Sequence, residues 1–322
     1  MTRIPLACAL SGLVLLTLFA CGDDAASPPA GGTPDAEAGT IVENEDSGSQ
    51  QDSGADTSAP NCRVVKAPAI ATTVNAAAVA EASGVAVSTK NAGVYWVHND
   101  SGDSARAFAI NADGSLAATL AYDAAFPTDV EDMAIEDQGG GTSFLYFADF
   151  GDNPENRANI VIHRIAEPSV AGGGTITVTS EKMTVTYADG PHNAETLLFD
   201  PISKDLYIAT KKTGGPSAIH RIGAFAAGSA TTTAVGSVPI ALATGGEISR
   251  DGSIIAIRSY TTAFVWKREA GETVAAALAR APCEYPMIGE PQGESLAFVP
   301  DGSGYVTLSE GASPPIRLHA FQ

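Results

Sequence analysis

Short apolar or alternating runs, separated by turns, occupy most of the chain after residue 80. Five of these runs have a small or polar residue within their first two positions, and each is followed by a second run rich in β-forming residues. The first runs are residues 82–87, 130–135, 194–199, 243–248 and 293–298, and the second runs are residues 94–97, 144–148, 206–209, 254–257 and 305–308. Runs of this length with a two-residue period predict strands joined by hairpins. Because no helical period lasts beyond a turn or two, the pattern favours an all-β fold.

The second residue of each first run marks a repeat, and these residues are Ser83, Glu131, Glu195, Thr244 and Glu294. Their spacings of 48, 64, 49 and 50 residues are typical of the four-stranded blades of a β-propeller. The segment after Glu294 and the segment from Cys62 to Ser83 together supply one further interval of 49 residues. A fifth blade is therefore complete only if residues 63–74 form its outer strand. The sequence predicts a five-bladed β-propeller closed by an N-terminal strand, and the alternative is a six-bladed propeller with one degenerate blade.

Two more strands per blade follow from the same pattern. Third strands are expected at residues 105–110, 159–165, 218–222, 263–267 and 316–321, and fourth strands at residues 115–122, 175–187, 231–238 and 273–278. The last of these segments is rich in alanine. Asp-Gly pairs at residues 113–114, 251–252 and 301–302 are typical of tight turns between antiparallel strands.

The first twenty residues predict export. They carry one positive charge, Arg3, and no acid, and they run apolar from Leu10 to Ala20, as a secretory signal does. The run is shorter than the roughly 20 apolar residues that a membrane-spanning helix needs. It ends in Leu18-Phe19-Ala20-Cys21, which resembles the lipobox of bacterial lipoproteins. The resemblance implies acylation of Cys21 and anchoring to the bacterial envelope, while an ordinary signal with a chance cysteine is the alternative.

The next forty residues differ sharply in composition from the rest of the chain. From Gly22 to Asn61 there are nine acids, no basic residue and no aromatic residue. Such a segment cannot bury enough apolar surface to fold, so we expect a disordered, self-repelling linker. The predicted organisation is a signal peptide at residues 1–20, a lipidated cysteine with its linker at residues 21–61, and a propeller at residues 62–322. By family analogy, Gly22 after the cysteine implies the outer membrane, with the domain periplasmic or surface-exposed.

The net negative charge of the chain limits the kinds of partner that it can bind. The chain has 18 basic and 37 acidic residues, and residues 62–322 alone carry a net charge of about −11. This balance argues against nucleic acid and anionic lipid surfaces, and it suits a cation or a cationic ligand. We expect a monomer that meets the membrane through acylated Cys21 and binds a small polar ligand or a protein partner.

The four cysteines divide into two groups. Cys8 lies in the signal and Cys21 is the expected anchor, so Cys62 and Cys283 remain in the predicted domain. Two cysteines left over in an oxidising compartment usually pair, and the alternative is two free thiols. With Cys283 after the outer strand of blade four and Cys62 at the start of blade five's outer strand, the disulfide would join neighbouring blades.

A candidate site follows from propeller topology. The start of each innermost strand and the end of each second strand emerge on the same face, so polar residues there converge on the central channel. The candidate metal ligands are Glu131, Glu195, Glu294, Asp129, Glu81 and Asp149, and the candidate ligand-binding residues are His98, Asn99, Asp100, His192, Asn193, Lys211, Arg258, Tyr260 and Glu310. An oxygen-only donor set suits Ca²⁺ rather than zinc. The alternative is that these groups hydrogen-bond to strand ends and hold water.

Several short motifs resemble those of known bacterial propellers. They include Ser83-Gly84-Val85-Ala86, His98-Asn99-Asp100, Asp129-Val130-Glu131-Asp132, the stretch from Asp189 to Glu195, the stretch from Gly293 to Phe298, and Ser309-Glu310-Gly311. The pattern resembles the SdiA-regulated-type propellers and the phytase-like esterase family. The resemblance implies a calcium-occupied channel. The chain departs from β-propeller phytases, which usually have six blades and a basic cluster around the metal.

Two functions are compatible with these residues. The first is a non-catalytic binding or interaction module with an acidic channel face that holds Ca²⁺. The second is a Ca²⁺-dependent phosphoesterase or lactonase-type hydrolase, in which Lys211 and Arg258 would steady an anion. No Ser-His-Asp order, Gly-x-Ser-x-Gly elbow or phosphate-binding loop is present in the sequence, which disfavours covalent catalysis and leaves catalytic residues unassigned.

Overall fold

The computed structural model describes residues 61–124 and 129–322. The signal peptide, Cys8, Cys21 and nearly all of the acidic linker lie outside the described residues. Within those ranges, no helix has the length and apolarity that a membrane span requires.

Five antiparallel sheets form the blades, with strands numbered here in chain order. Blade 1 contains β2 (Ala82–Val87), β3 (Val94–Asn99), β4 (Arg106–Asn111) and β5 (Leu116–Tyr122), and blade 2 contains β6 (Val130–Gly139), β7 (Thr142–Asp149), β8 (Ile160–Ala166) and β10 (Glu181–Thr186). Blade 3 contains β11 (Ala194–Phe199), β12 (Asp205–Thr210), β13 (Ser217–Ala224) and β15 (Thr233–Val238). Blade 4 contains β16 (Gly245–Ile248), β17 (Ile254–Arg258), β18 (Thr262–Lys267) and β19 (Cys283–Pro286), and blade 5 contains β20 (Gly293–Phe298), β21 (Gly304–Ser309), β22 (Pro315–Ala320) and β1 (Ala69–Thr73).

The innermost strands close a ring. Strand β2 contacts β6, β6 contacts β11, β11 contacts β16, β16 contacts β20, and β20 returns to β2. The N-terminal strand β1 pairs antiparallel with β22, with Ala69 opposite Leu318 and Thr73 opposite Pro315. The predicted five-bladed propeller closed by an N-terminal strand is therefore confirmed, and the six-bladed alternative is wrong.

The longest repeat interval holds an additional strand rather than a sixth blade. The expected fourth strand at residues 175–187 divides into β9 (Thr175–Val178) and β10. Strand β9 pairs in parallel with β5 of blade 1, and β14 (Gly228–Thr231) likewise pairs in parallel with β10 of blade 2. Each extra strand covers the exposed edge of the preceding blade and satisfies its unpaired backbone groups.

The alanine-rich segment at residues 273–278 is not the fourth strand of blade 4. It forms a short helix, α1 (Val274–Leu278), and the side chain of Thr273 caps it by accepting a hydrogen bond from the Ala276 N–H at 3.1 Å. Alanine favours helix over strand, so local propensity prevails here. The outer strand is β19, which means that Cys283 begins this strand instead of following it.

The apolar core consists of five layers, one between each pair of neighbouring blades. Between blades 1 and 2, Trp96 packs with Phe147, and between blades 3 and 4, Tyr207 packs with Trp266. Full burial of each large apolar side chain contributes about 1.5–3 kcal/mol. Because the two faces of a blade each meet a different neighbour, most strands are buried on both faces.

Polar side chains also connect the inner strands to one another. The Ser83 hydroxyl donates to the Glu131 carbonyl at 2.6 Å, and the Thr244 hydroxyl donates to the Gly293 carbonyl at 3.0 Å. The buried Asp132 carboxylate accepts the Leu197 N–H at 2.8 Å. Each of these bonds joins two neighbouring blades and gives a buried backbone group a partner.

Cys62 and Cys283 form a disulfide, as expected from the sequence. Cys283 belongs to the outer strand of blade 4, and Cys62 precedes β1, the outer strand of blade 5. The bond therefore joins neighbouring blades beside the point where the ring closes.

We expect the double variant Cys62→Ser, Cys283→Ser to be less stable than the wild type. The disulfide closes a loop with a sequence separation of 221 residues, and in the chain-entropy model such a long loop restricts the unfolded chain strongly. The expected loss is about 2–5 kcal/mol, or a fall of about 5–15 °C in the melting temperature for a domain of this size. Differential scanning calorimetry measures it. An unchanged melting temperature would show that the disulfide does not stabilise ring closure.

Candidate functional site

Four of the five inner strands begin with a β-bulge at the same place. In blade 1, Ala82 lies opposite Asn99 and Gly84 lies opposite His98, so that Ser83 is the extra residue. The residues at the corresponding register shifts of the other three strands are Glu131, Glu195 and Glu294. A bulge interrupts the two-residue alternation of a strand and re-aims a side chain.

Blade 4 departs from this pattern. Strand β16 pairs with β17 without a register shift, and Thr244 lies just before β16 instead of at a bulge. The expected equivalence of Thr244 with the three glutamates is therefore wrong, since blade 4 lacks the extra residue.

Five carboxyl groups from three blades meet at the channel, and we call them the channel acid cluster: Asp100, Asp129, Glu131, Glu294 and Glu310. Carboxylate oxygens of Asp100, Asp129 and Glu131 lie within 4.8 Å of one another. Oxygens of Asp100, Glu294 and Glu310 satisfy the same limit of 4.8 Å. Because Asp100 belongs to both groups, the two sets form one continuous acidic site.

The backbone of Gly151 packs directly against this cluster. A Cβ atom at position 151 would lie 2.3 Å from Asp129 Oδ2 and 2.5 Å from Glu131 Oε1. A side chain at this position would displace the two carboxylates, so glycine lets the backbone approach them in their present arrangement. This role of Gly151 emerges only from the packing.

Glu195 lies beside the cluster and is paired with a cation. The ammonium group of Lys211 is 2.5 Å from both Glu195 carboxylate oxygens and donates to the Tyr260 hydroxyl at 2.8 Å. Burial lowers the pKa of Lys211, but the Glu195 carboxylate outweighs this and holds it above its ordinary value. Lys211 therefore brings one fixed positive charge to the acidic face.

Burial and mutual repulsion raise the pKa of the buried acids. The pKa of Glu131 is raised to about 11, mainly by burial and secondarily by repulsion from Glu195 and Asp100. Burial, followed by the hydrogen bond to Glu310 and its charge, raises the pKa of Glu294 to about 9. Burial raises the pKa of Asp129 to about 6 and that of Glu195 to about 7, the latter against the opposing effect of Lys211. Without a cation, the cluster therefore retains protons at neutral pH.

One oxygen of the cluster lacks any partner among the described residues. Glu294 is only 4% exposed, and its Oε2 atom is buried without a hydrogen bond. A buried carboxylate oxygen in this state is costly unless an ion or water satisfies it.

Besides Glu195, two further candidate metal ligands, Asp149 and Glu81, lie outside the channel acid cluster. Asp149 is paired with Arg157 at 2.9 Å and accepts the Asp129 N–H at 3.0 Å, so its charge is compensated within the protein. The side chain of Glu81 is exposed, and Glu81 belongs to neither carboxylate group.

Arg258 is placed differently from the expectation that it faces a ligand. Its side chain is fully buried, forms an ion pair with Glu290 at 2.7 Å and donates to the Ser295 carbonyl at 3.1 Å. A Cβ at Gly293 would lie 1.8 Å from the guanidinium group, so Arg258 packs against the start of the next inner strand. The position at the end of a second strand is as expected, but the side chain enters the layer between blades 4 and 5.

The remaining candidate residues organise the loops around the face. His98 is buried, its Nδ1 lies 2.9 Å from the Asn99 carbonyl, and burial lowers its pKa. The side-chain amide of Asn99 donates to the Ala78 carbonyl at 2.8 Å, and the side-chain Oδ1 of Asn193 accepts the Asp152 N–H at 2.8 Å. Among the ligand-binding candidates, Asp100 and Glu310 are members of the cluster, and Lys211 and Tyr260 lie beside it through Glu195.

No protein-family model matches the sequence, and the search of curated proteins finds no match. Among solved structures, the chain is similar to Kuenenia stuttgartiensis hydrazine synthase, with 9% identity and a TM-score of 0.42 over 71% of this chain and 80% of that chain. It is also similar to the Dos1 propeller, with 10% identity and a TM-score of 0.38 over 74% of this chain and 68% of that chain. Values this low carry no argument about function, so the site is interpreted from its own residues.

The metal-free protein is expected to lose stability as the pH rises from about 5 to 9. The pKa of Glu294 is raised from 4.5 to about 9, so the folded state holds a proton that the unfolded chain releases within this window. Glu294→Gln keeps the shape of the side chain but cannot titrate. Its free energy of unfolding should therefore fall less between pH 5 and pH 9 than that of the wild type, by an amount on the order of 1–2 kcal/mol.

Denaturant titrations in chelator at pH 5 and pH 9 measure this difference. Glu81→Gln is the control, because Glu81 is an exposed acid outside the cluster. Equal pH dependence in the wild type and Glu294→Gln would contradict the assignment of a buried, protonated carboxyl group.

Proposed function

We propose that the protein is an envelope-anchored lipoprotein whose propeller binds Ca²⁺ at the channel acid cluster and acts as a binding module for a small polar ligand or a protein partner. The observation that carries the proposal is the convergence of five carboxyl groups, one of which has a buried oxygen with no hydrogen-bond partner among residues 61–124 and 129–322. A cation removes the repulsion among these groups and replaces the protons that they otherwise retain.

The donor set fits calcium. Ca²⁺ takes six to eight oxygen ligands and tolerates irregular geometry, whereas zinc prefers nitrogen and sulfur. The cluster supplies carboxylate oxygens alone, and neither histidine nor cysteine belongs to it. Asp100, Asp129, Glu131, Glu294 and Glu310 would hold the ion, with the Gly151 backbone packed against them.

Binding is favoured over hydrolysis by the position of the basic residues. The hydrolase alternative required Lys211 and Arg258 to steady an anionic substrate. Arg258 is buried in an ion pair with Glu290, and Lys211 is paired with Glu195. The resemblance to SdiA-regulated-type and phytase-like propellers is compatible with a calcium-binding channel, and membership of either group stays a prediction.

Calcium is expected to raise the melting temperature of the full chain. A ligand that binds only the folded state at about 100 times its Kd adds about 2.7 kcal/mol of stability. In Glu294→Gln, the partnerless carboxylate oxygen is lost, so most of this increase should disappear. Thermal melts with millimolar Ca²⁺ and with chelator measure the effect.

Glu81→Gln provides a matched control for the calcium melts. It removes one carboxylate at the same end of an inner strand but outside the cluster, so its response to Ca²⁺ should equal that of the wild type. A melting temperature that Ca²⁺ leaves unchanged in the wild type would refute calcium binding. An equal loss of response in both variants would show a nonspecific charge effect.

Lipid anchoring has a separate test. In a bacterial host, the wild-type chain should partition into the detergent phase, and mass spectrometry should find acyl chains on an amino-terminal Cys21, because several acyl chains anchor a protein stably. Cys21→Ser should leave the protein in the aqueous phase. A wild-type protein that lacks acyl chains, or whose partitioning survives Cys21→Ser, would refute the anchor.

A further inference from the structure

A second group of metal-binding side chains lies where the chain crosses from blade 2 to blade 3. Asp189 and His192 belong to the crossover before β11, and His220 belongs to β13 of blade 3. His192 Nε2 is 3.0 Å from Asp189 Oδ1, and His220 Nδ1 is 3.9 Å from the same oxygen. One ligand atom from each of the three residues lies within 4.8 Å of the other two.

The group is open to solvent on one side only. The His220 side chain is fully buried, that of His192 is 17% exposed, and that of Asp189 is 50% exposed. Asp189 therefore lies at the solvent side of the group, while His220 is held in the sheet of blade 3.

Three buried polar atoms at this place have no hydrogen-bond partner among the described residues. They are the Tyr187 hydroxyl oxygen, His192 Nδ1 and His220 Nε2. The Tyr187 ring lies 5.0 Å from the His192 ring and 5.1 Å from the His220 ring, so the three side chains that carry these atoms are in contact with one another. Buried polar groups are nearly always satisfied, and a concentration of exceptions points to an ion or ordered water that the polypeptide does not supply.

Blade 2 has a histidine at the position equivalent to His220, and its surroundings differ from those of His220. His163 lies opposite Phe147 at the register where His220 lies opposite Ile208, and an arginine follows each histidine. His163 Nδ1 is 3.0 Å from the Ser180 hydroxyl, which donates to Asp123 at 2.8 Å.

The two blades thus share a histidine, a hydroxyl residue immediately before the outer strand, and a crossover aspartate. The corresponding hydroxyl in blade 3 is that of Thr232, 3.3 Å from His220 Nδ1. Blade 3 differs by the added imidazole of His192 and by an aspartate that faces both rings. In blade 2, the histidine at this register packs between strands without a second imidazole. In blade 3, His192 adds a second imidazole beside His220, so that two imidazoles and a carboxylate lie together.

We propose that Asp189, His192 and His220 form a binding site for a divalent transition metal of the zinc type. Two imidazoles and one carboxylate suit borderline-soft ions such as Zn²⁺ or Co²⁺ and leave coordination positions for water. The oxygen-only channel acid cluster suits a hard ion instead. This site does not depend on the proposed function of the channel.

The test is a Zn²⁺ titration of the full chain by isothermal calorimetry. The chain is purified without a polyhistidine tag, free thiols are alkylated, and millimolar Ca²⁺ is present throughout. The wild type should bind one equivalent that His192→Ala abolishes. Asp189→Asn should weaken binding by at least about tenfold, a loss that outer-shell changes alone already reach.

His163→Gln is the matched control and should bind Zn²⁺ as the wild type does, whereas His220→Gln should not. If buried His220→Gln fails to fold by circular dichroism, His192→Ala decides the question, because His192 lies on a partly exposed crossover. Co²⁺ should give visible absorption bands in the wild type that are missing in His192→Ala. Absent Zn²⁺ binding in the wild type, or binding that survives His192→Ala, would overturn the proposal.

Discussion

Pairing of β1 with β22 brings residues from the start and the end of the domain into one sheet and completes blade 5, whose inner strand β20 contacts β2 and closes the ring. An open array would expose the apolar layer between blades 5 and 1, where Val97 packs with Leu308. The Cys62–Cys283 bond lies next to this closure and restrains it covalently. The channel depends on the same constraint, since Asp100 of blade 1 meets Glu294 of blade 5 only across the closed ring.

Closure also creates an electrostatic conflict. The bulges of β6 and β20 place Glu131 and Glu294 among other acids in a buried setting, where desolvation and repulsion both oppose ionisation. Elsewhere the protein resolves similar conflicts internally, as in the pairs Arg258–Glu290 and Arg268–Asp200. The two cations whose charges act on Asp129 are Arg157 and Lys211, and they are already paired with Asp149 and Glu195. Such an uncompensated concentration of charge is typical of binding sites.

The sequence pattern alone predicts most of the propeller architecture. Strand positions, the count of five and the closing strand followed from the two-residue alternation and a repeat of about 49 residues, because blade packing imposes both on the sequence. The predictions that were wrong concern single segments and not the blade count or the ring closure. Residues 273–278 form a helix because alanine carries little strand preference, and β9 and β14 join neighbouring blades because an exposed edge accepts any strand that reaches it.

The sequence by itself determined the repeat, the closing strand, the cysteine pair and the face on which acids collect. Only the tertiary structure decided which of those acids meet, that Arg258 turns into an ion pair, and that His220 joins His192 and Asp189. The physical reason is that strand periodicity records which face of a sheet a residue occupies. Contacts across the channel depend instead on bulges and on the packing of blades that are distant in sequence, which no local pattern encodes.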